Sequence, residues 1–245
     1  MKTKNRAEEI FNEALKVAIN IEDRYSRAKT LKDIVCEMAK VRFYSKALKA
    51  SNIIESRWWR SWAIKDIACE MAKAGLYKEA LKAAERIENA WFRAVAFKDI
   101  ACEMAKAGLN VENVFEKALN SVKEIEDSGY RASAKRIVAR EMAKTGLFEK
   151  ALKIARDIED PWWRAWAFKD VAGELARAKL FDRALDIANN ITDKRYRAEA
   201  LKSIAGEMAR IKLFDKALKT VRMIDDRRRR AEALREIASK IAVED

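Results

Sequence analysis

The chain has 245 residues, half of them hydrophobic, which is enough to build a sizeable core. It has no histidine, one proline and six glycines, so the commonest neutral-pH base and metal ligand is missing, and folds built on many tight turns are disfavoured. Lysine and arginine exceed aspartate and glutamate by 52 to 39, and the resulting net charge of +13 favours an anionic partner.

The remaining composition points to a cytoplasmic protein with no membrane partner. Three widely separated cysteines do not form the pattern of a disulfide framework. The first ten residues are polar, and no apolar run approaches the length needed to cross a membrane. The abundance of lysine and glutamate further indicates a heat-adapted host.

One sequence repeat fills the chain. An arginine precedes each apolar block and marks the period: Arg27, Arg60, Arg93, Arg131, Arg164, Arg197 and Arg230. Successive members are 33 residues apart, except for one spacing of 38 that reflects a five-residue insertion near residues 110–114. A fixed period in this range is typical of a solenoid, so we expect residues 1–245 to form a single domain.

Each repeat predicts two helices, which we call A and B. With the arginine as position 0, apolar residues at positions 1, 4, 8 and 11 predict helix A. An N-capping residue stands at position −4 in all seven copies: Asp23, Ser56, Asn89, Asp127, Asp160, Asp193 and Asp226. Three glycines at position 15 are suited to end helix A: Gly75, Gly108 and Gly146. The arginine itself follows an acid at position −5 in most copies, which predicts an Arg–carboxylate clamp at the turn.

A second apolar period between Leu76 and Ile87, repeated along the chain, predicts helix B. The count is seven helices of each type, fourteen in all, with a lone B helix first and a lone A helix last. Incomplete repeats cannot bury their apolar faces, so these ends predict capping or association into a homo-oligomer.

The repeat resembles the tetratricopeptide repeat at Ile67, Ala68, Gly75, Tyr77 and Ala80. The resemblance runs along nearly the whole chain but is limited to the first two-thirds of each repeat, and the family's proline near the end of the repeat is absent. It implies an all-α, right-handed α-solenoid of about seven antiparallel helix pairs, with the A helices lining a concave groove.

The basic charge is concentrated on one stripe of helix A. Positions −2, 2, 5, 9 and 13 fall in one helical sector, which holds 17 basic residues and two acids. Position 5 is basic in every copy, and tryptophans share the stripe. The predicted groove-binding residues are Lys32, Trp62, Lys65, Trp91, Lys98, Arg136, Trp166, Lys169, Lys202 and Arg235. By resemblance, positions 2, 5, 9 and 13 face the groove, and small residues at position 9 leave room in it.

The stripe predicts a scaffold that binds a protein or peptide segment, most simply an acidic one. One alternative is single-stranded nucleic acid, RNA in particular, with lysines on phosphates and indoles on bases. A second alternative is a self-assembling structural module. The stripe also has an interpretation without binding, to which we give equal weight: its cations form an ion-pair network with the acids at positions 6 and 10.

No catalytic, cofactor or metal site is predicted. Paired carboxylates such as Asp66 and Glu70 recur in every part of the chain, whereas an active site is normally built once. The sequence offers no phosphate-binding glycine loop and no nucleophile with a suitable base. We therefore expect a protein that is not an enzyme.

Overall fold

The computed structural model describes residues 2–242, which contain fourteen α-helices and no strand within that range. The helices are α1 (Lys2–Ile19), α2 (Arg24–Lys40), α3 (Tyr44–Ser51), α4 (Arg57–Lys73), α5 (Tyr77–Glu85), α6 (Ala90–Lys106), α7 (Glu112–Lys123), α8 (Ser128–Lys144), α9 (Phe148–Arg156), α10 (Pro161–Arg177), α11 (Phe181–Asn189), α12 (Lys194–Arg210), α13 (Phe214–Arg222) and α14 (Arg227–Ala242). The predicted all-α class and helix count are confirmed.

The even-numbered helices are the A helices and the odd-numbered ones are the B helices. Each A helix packs on the B helix that follows it, so the chain is a series of consecutive helix pairs. Neighbouring A helices also pack on each other, α2 on α4 and α4 on α6, and likewise α8 on α10, α10 on α12 and α12 on α14. This is the solenoid-like arrangement that the repeat predicts.

The chain divides into two compact units, Met1–Glu126 and Asp127–Asp245, which we call unit 1 and unit 2. Unit 1 contains α1 to α7 and unit 2 contains α8 to α14. The predicted single domain stays a prediction, and each unit is described by itself below. The five-residue insertion lengthens α7 to 12 residues, and the Asn110 side chain accepts a hydrogen bond from the Glu112 amide at its start.

The predicted capping residues begin the A helices as expected. Asp23 accepts a hydrogen bond from the Ser26 amide at 2.7 Å, and Asn89, Asp127, Asp160, Asp193 and Asp226 make the equivalent bond. Ser56 stands at the same place before α4, but its side chain makes no capping bond.

Left-handed residues follow A helices at position 15. The three predicted glycines have φ values of +79°, +73° and +85°. Arg42, Lys179 and Lys212 hold the same repeat position in other copies, with φ between +63° and +66°. A residue with a Cβ pays about 1–2 kcal/mol in this conformation, so these three turns are strained where the glycine turns are not.

The position-0 arginines tie one repeat to the next. Arg60 donates to the Ile54 carbonyl of its own turn and pairs with Glu88 of the following repeat at 2.7 Å. Arg27 and Arg197 likewise reach the next carboxylate along the chain, Glu55 and Asp225. The predicted clamp thus forms, but with the acid of the following repeat instead of the acid five residues before the arginine.

Small and β-branched residues form the core between helices A and B. Positions 7 and 8 of helix A are fully buried in several copies, as in Ile67–Ala68 and Ile100–Ala101. Alanine at position 8 lets neighbouring helices approach closely.

None of the described helices is both long and apolar enough to span a membrane.

Candidate functional site

The surface formed by positions −2, 2, 5, 9 and 13 of the A helices is the predicted binding surface, and we call it the A face. Its position-5 cations lie in the spaces between neighbouring A helices and are mostly covered. Six of the seven hold carboxylates: Lys32 pairs with Asp33, Lys65 with Asp66, Lys98 with Asp99, Arg136 and Lys169 with Asp170, and Lys202 with Glu236. Arg235 is exposed on α14. The inner part of the A face is therefore an ion-pair network.

The network also joins neighbouring repeats through thiols. Cys36 Sγ donates to Asp66 Oδ2 at 3.3 Å, and Cys69 Sγ donates to Asp99 Oδ2 at 3.4 Å. Burial, and next to it the charge of Asp66, raises the pKa of Cys36 to about 12. Burial and the charge of Asp99 raise the pKa of Cys69 still further. The cysteines are free thiols that act here as hydrogen-bond donors.

In unit 1, Trp62 is stacked within the protein. Its indole is nearly parallel to that of Trp59 at a centroid distance of 5.3 Å and to the ring of Phe92 at 6.0 Å. The Lys32 ammonium of the preceding repeat lies 4.6 Å from the Trp62 centroid. Trp91, on the next A helix, is half-buried, and its indole nitrogen is buried without a hydrogen-bond partner. These indoles are part of the packing between repeats.

In unit 2, Trp166 has the same kind of environment. Trp163 stacks on it at 5.4 Å and Tyr196 at 6.0 Å, while the Arg136 guanidinium lies 4.0 Å from its centroid. Attraction between the cation and the indole's electron-rich face stabilises this contact. The structure thus brings together the predicted residues Arg136, Trp166 and Lys169 around Asp170, but inside a packed layer.

The most exposed indoles of the A face belong to two tryptophans that the predicted site omits. Trp58 and Trp162 stand at position −2, with 47% and 46% of their surface exposed. Trp58 still contacts Phe92 edge-on, and Trp162 makes edge-on contacts with Trp163, Trp166 and Tyr196. Their repeat position lies in the basic stripe, and that shared sector is the signal that could have selected them.

A second row of cations, at position 13, lies on the solvent side of the A face, and we call it the outer row. It consists of Lys40, Lys73, Lys106, Lys144, Arg177 and Arg210. Each pairs with the glutamate three residues earlier: Glu37, Glu70, Glu103, Glu141, Glu174 and Glu207. Hydrogen bonds to these glutamates raise the pKa of Lys73, Lys106 and Arg177.

In five of these six pairs the acid is the less exposed partner. Lys106 keeps 71% of its side chain exposed, against 23% for Glu103, and the order is the same from Lys73 through Arg210. Burial pushes the pKa of Glu141 upward, but hydrogen bonds from Lys144 and Arg140 outweigh it and hold the pKa below its ordinary value. Because the acid is the more covered partner in these five pairs, solvent meets a positive row.

Unit 2 has a cavity of about 400 Å³ beside the outer row. It opens around Gly173, the small position-9 residue of α10, and Ser203 of α12. Four cations line it, Arg140, Lys144, Lys169 and Arg177, together with the carboxylates of Asp170, Glu174 and Glu199. The cavity is polar and basic-rimmed, with the dimensions of a side-chain pocket.

The described residues offer no group of three or more cysteines, aspartates or glutamates placed to hold a metal ion. The acids of the A face are instead spread singly along the network, each on a cation. Its chemistry is thus that of charge pairing and ring stacking.

Comparison with known proteins gives no family. No family model matches the chain, and no curated protein matches it. Among solved structures, the crystal structure of Ton1535 from Thermococcus onnurineus NA1 is similar at 18% identity, covering 97% of this chain and 99% of that one. The TM-score of that match is 0.27, too low to support any further inference.

Proposed function

We propose that this chain is a tetratricopeptide-like, non-enzymatic scaffold that binds an acidic protein segment along its A face. The observation that carries the proposal is the outer row, in which exposed cations cover less exposed glutamates. An exposed ion pair of this kind contributes little to stability, about 0.2–1 kcal/mol. An incoming carboxylate can therefore share the cation with little loss of folding stability.

The spacing of the outer row suits an extended segment. Packed helices lie roughly 8–10 Å apart, and extended chain advances about 3.3–3.6 Å per residue. Lys40, Lys73 and Lys106 of neighbouring A helices are thus about three residues apart for a segment in the polyproline II conformation, whose three-residue turn points every third side chain to the same side. The exposed ring of Trp58 in unit 1, and that of Trp162 in unit 2, would add apolar contacts within its own unit.

Packing of the indoles favours a peptide over single-stranded nucleic acid. A base would need a free ring face on which to stack. Trp62 and Trp166 already stack on two rings each and carry a cation from the preceding repeat. The two exposed indoles, Trp58 and Trp162, lie one in each unit, so the rest of each unit would hold a nucleic-acid strand by charge, without base stacking.

The test is binding of a labelled peptide with a glutamate at every third position, measured by fluorescence anisotropy. A peptide of the same composition with its glutamates clustered serves as the control for spacing. Lys73→Glu with Lys106→Glu is expected to weaken binding about tenfold, a loss of about 1.4 kcal/mol. The matched control, Lys78→Glu with Lys123→Glu, changes the net charge equally on α5 and α7 and is expected to leave binding unchanged.

Three results would contradict the proposal. Equal weakening by both double variants would show unspecific attraction to the chain's positive charge. Tighter binding of a single-stranded oligonucleotide, with a steep salt dependence, would favour the nucleic-acid alternative. Absence of peptide binding even at low salt would remove the A face as a docking surface.

A further inference from the structure

The odd-numbered helices form a second surface, on which ion pairs join neighbouring helices. In unit 1, Lys46 of α3 pairs with Glu8 of α1, and Lys117 of α7 pairs with Glu85 of α5 at 2.5 Å. In unit 2, Arg183 of α11 pairs with Glu149 of α9. All three cations occupy position 19 of their repeats, so a cation at this position closes the space between successive B helices at these three places.

Between α3 and α5 the pattern is broken. Position 19 of α5 is Glu79, an acid, and the facing positions of α3 are the neutral residues Ser45 and Asn52. No ion pair within residues 2–242 crosses from α3 to α5. The direct side-chain link is a long hydrogen bond of 3.4 Å from Arg86 Nη2 to the Asn52 side-chain oxygen.

The missing closure leaves a cavity of about 610 Å³ between α3 and α5, which we call the α3–α5 groove. Its apolar lining is formed by Tyr44, Leu48, Met71, Leu76 and Ala83. Met71 comes from the A helix α4 and is buried, whereas Leu76 is 38% exposed. A volume of this size lies within the range of binding pockets, about 300–1,000 Å³.

Basic residues surround this apolar lining. Arg42 and Lys49 stand on the α3 side, and Lys82 and Arg86 on the α5 side, with Glu79 as the one acid of the groove. Four cations and one carboxylate give the groove a net charge of +3. In the described chain the side chains of Arg42, Lys49 and Lys82 have no carboxylate or hydrogen-bond partner. This differs from the A face, where nearly every cation holds an acid.

We propose that the α3–α5 groove binds a short acidic peptide segment that carries a bulky apolar side chain. The apolar side chain contacts Leu48 and Met71, and flanking carboxylates pair with Lys49 and Lys82. Burying an apolar side chain against this lining supplies about 1.5–3 kcal/mol, and the rim charges orient the segment. Apart from Met71 of α4, the lining residues lie on α3, on α5 and in the turns at their ends, and the site does not depend on binding at the A face.

The arrangement of the cations favours a peptide over a single anionic headgroup. Arg42 lies in the turn before α3 and Lys49 in the last turn of that helix, so the two cations stand at opposite ends of one wall. Lys82 and Arg86 are one helical turn apart on the opposite wall. One headgroup cannot contact cations on both walls over that length, whereas successive carboxylates on a peptide can.

The experiment uses the full chain and a labelled peptide with a central phenylalanine flanked by glutamates. Replacing that phenylalanine by alanine, or the glutamates by lysines, is expected to weaken binding at least tenfold. In the protein, Lys49→Glu with Lys82→Glu is expected to weaken it to the same degree; both residues are exposed, so the fold is retained. Lys78→Glu with Lys123→Glu, which line neither the groove nor the A face, is the matched control and is expected to have no effect.

A second variant distinguishes the groove from unspecific charge attraction. Glu79→Lys with Ser45→Glu places an ion pair at the positions that Arg183 and Glu149 occupy between α9 and α11. It makes the protein more positive by one charge, yet it is expected to close the groove and weaken peptide binding at least tenfold.

Unchanged or tighter binding to this closed variant would overturn the proposal, as would equal effects of the groove variant and the control variant. Laurate and anionic vesicles are the other probes. Groove-dependent binding of either one that exceeds binding of the peptide would replace the peptide with an anionic amphiphile. Failure of the phenylalanine peptide to bind at about 1 mM would remove the site.

Discussion

The tryptophan clusters of the two units use the same repeat positions, but a lysine covers the indole in unit 1 and an arginine covers it in unit 2. The Lys32 ammonium contacts Trp62 and pairs with Asp33 of its own helix. The link from α2 to the next A helix is then made by the Cys36 thiol, which donates to Asp66.

The arginine of unit 2 makes both contacts itself. Arg136 stacks on Trp166 and reaches Asp170 of the next A helix at 2.6 Å. A planar guanidinium can present its face to a ring and its edge to a carboxylate, whereas an ammonium is a single point of charge. The link between neighbouring A helices is therefore an ion pair made from position 5 in unit 2 and a thiol hydrogen bond made from position 9 in unit 1.

Removing Asp170 is expected to have the largest effect on stability. This carboxylate accepts from Arg136 and Lys169 and is only 7% exposed, so Asp170→Ala leaves two covered cations unpaired. A loss of about 3 kcal/mol in unfolding free energy follows. Asp66→Ala, at the equivalent and more exposed position (28%), is expected to lose about 1 kcal/mol. Urea unfolding followed by circular dichroism measures both, and equal losses would refute the proposed difference between the two links.

The reactivity of the Cys36 thiol tests its hydrogen bond to Asp66 in unit 1. Because the pKa of Cys36 is about 12 in the folded protein, its thiolate fraction near pH 8 is lower than that of an unfolded cysteine by at least about a hundredfold. Alkylation by iodoacetamide should be slower by a similar factor, as read by mass spectrometry of the Cys36 peptide. Asp66→Ala removes the acceptor and should speed the reaction, whereas Asp170→Ala should not.

The raised pKa of Cys36 also determines whether stability rises or falls with pH. The folded state holds the proton more tightly than the unfolded state does, so the thiol's contribution to stability is fully present below pH 9.0 and is lost as the pH rises towards 12. All three cysteines lie in unit 1, and the equivalent positions of unit 2 are Arg140, Gly173, Gly206 and Ser239. Alkaline destabilisation by this route is therefore expected in unit 1 alone.

The smallest expected effect concerns the turns. Unit 2 has a non-glycine left-handed residue at two of its helix ends, Lys179 and Lys212, whereas unit 1 has one, Arg42. Lys179→Gly should raise stability by about 1 kcal/mol, and Gly75→Ala should lower it by a similar amount. Thermal unfolding measures both. Lys179→Ala, which keeps the Cβ, is the control, and a gain in that variant would show that relief of backbone strain is not the cause.

Much of the fold follows from the repeat alone, because period, caps and apolar spacing all act locally. The residue type of the turn glycines predicts their conformation, since glycine adopts positive φ without a Cβ clash. Arg42, Lys179 and Lys212 give no such signal by residue type. Only their repeat position indicates that they share the conformation.

Less of the candidate site could be predicted from the sequence. The pattern places Lys32 beside Asp33 and one repeat away from Trp62, but it does not say whether a long side chain turns to solvent or to its neighbour. That choice depends on small differences in rotamer energy and on the three-dimensional distance between repeats. The position-0 arginines show the same limit, since their partner lies one repeat further along than the pattern suggested.

One feature of the α3–α5 groove can be read from the sequence. The change of sign at Glu79 is visible when the repeats are aligned, because the copies of position 19 on α3, α7, α9, α11 and α13 are basic. Its meaning depends on which residues of the preceding B helix lie opposite. Only the structure shows that Ser45 and Asn52 lie along the same groove.

The clustering of the indoles has a spectroscopic consequence. All seven tryptophans of the chain belong to α4, α6 and α10, where they are stacked or in edge contact around Phe92 and Tyr196. Intrinsic emission from this protein therefore reports on two small regions and ignores the ends of both units. Loosening of α1 or α14 would leave the emission spectrum unchanged, while a slight shift of α4 against α6 would alter it.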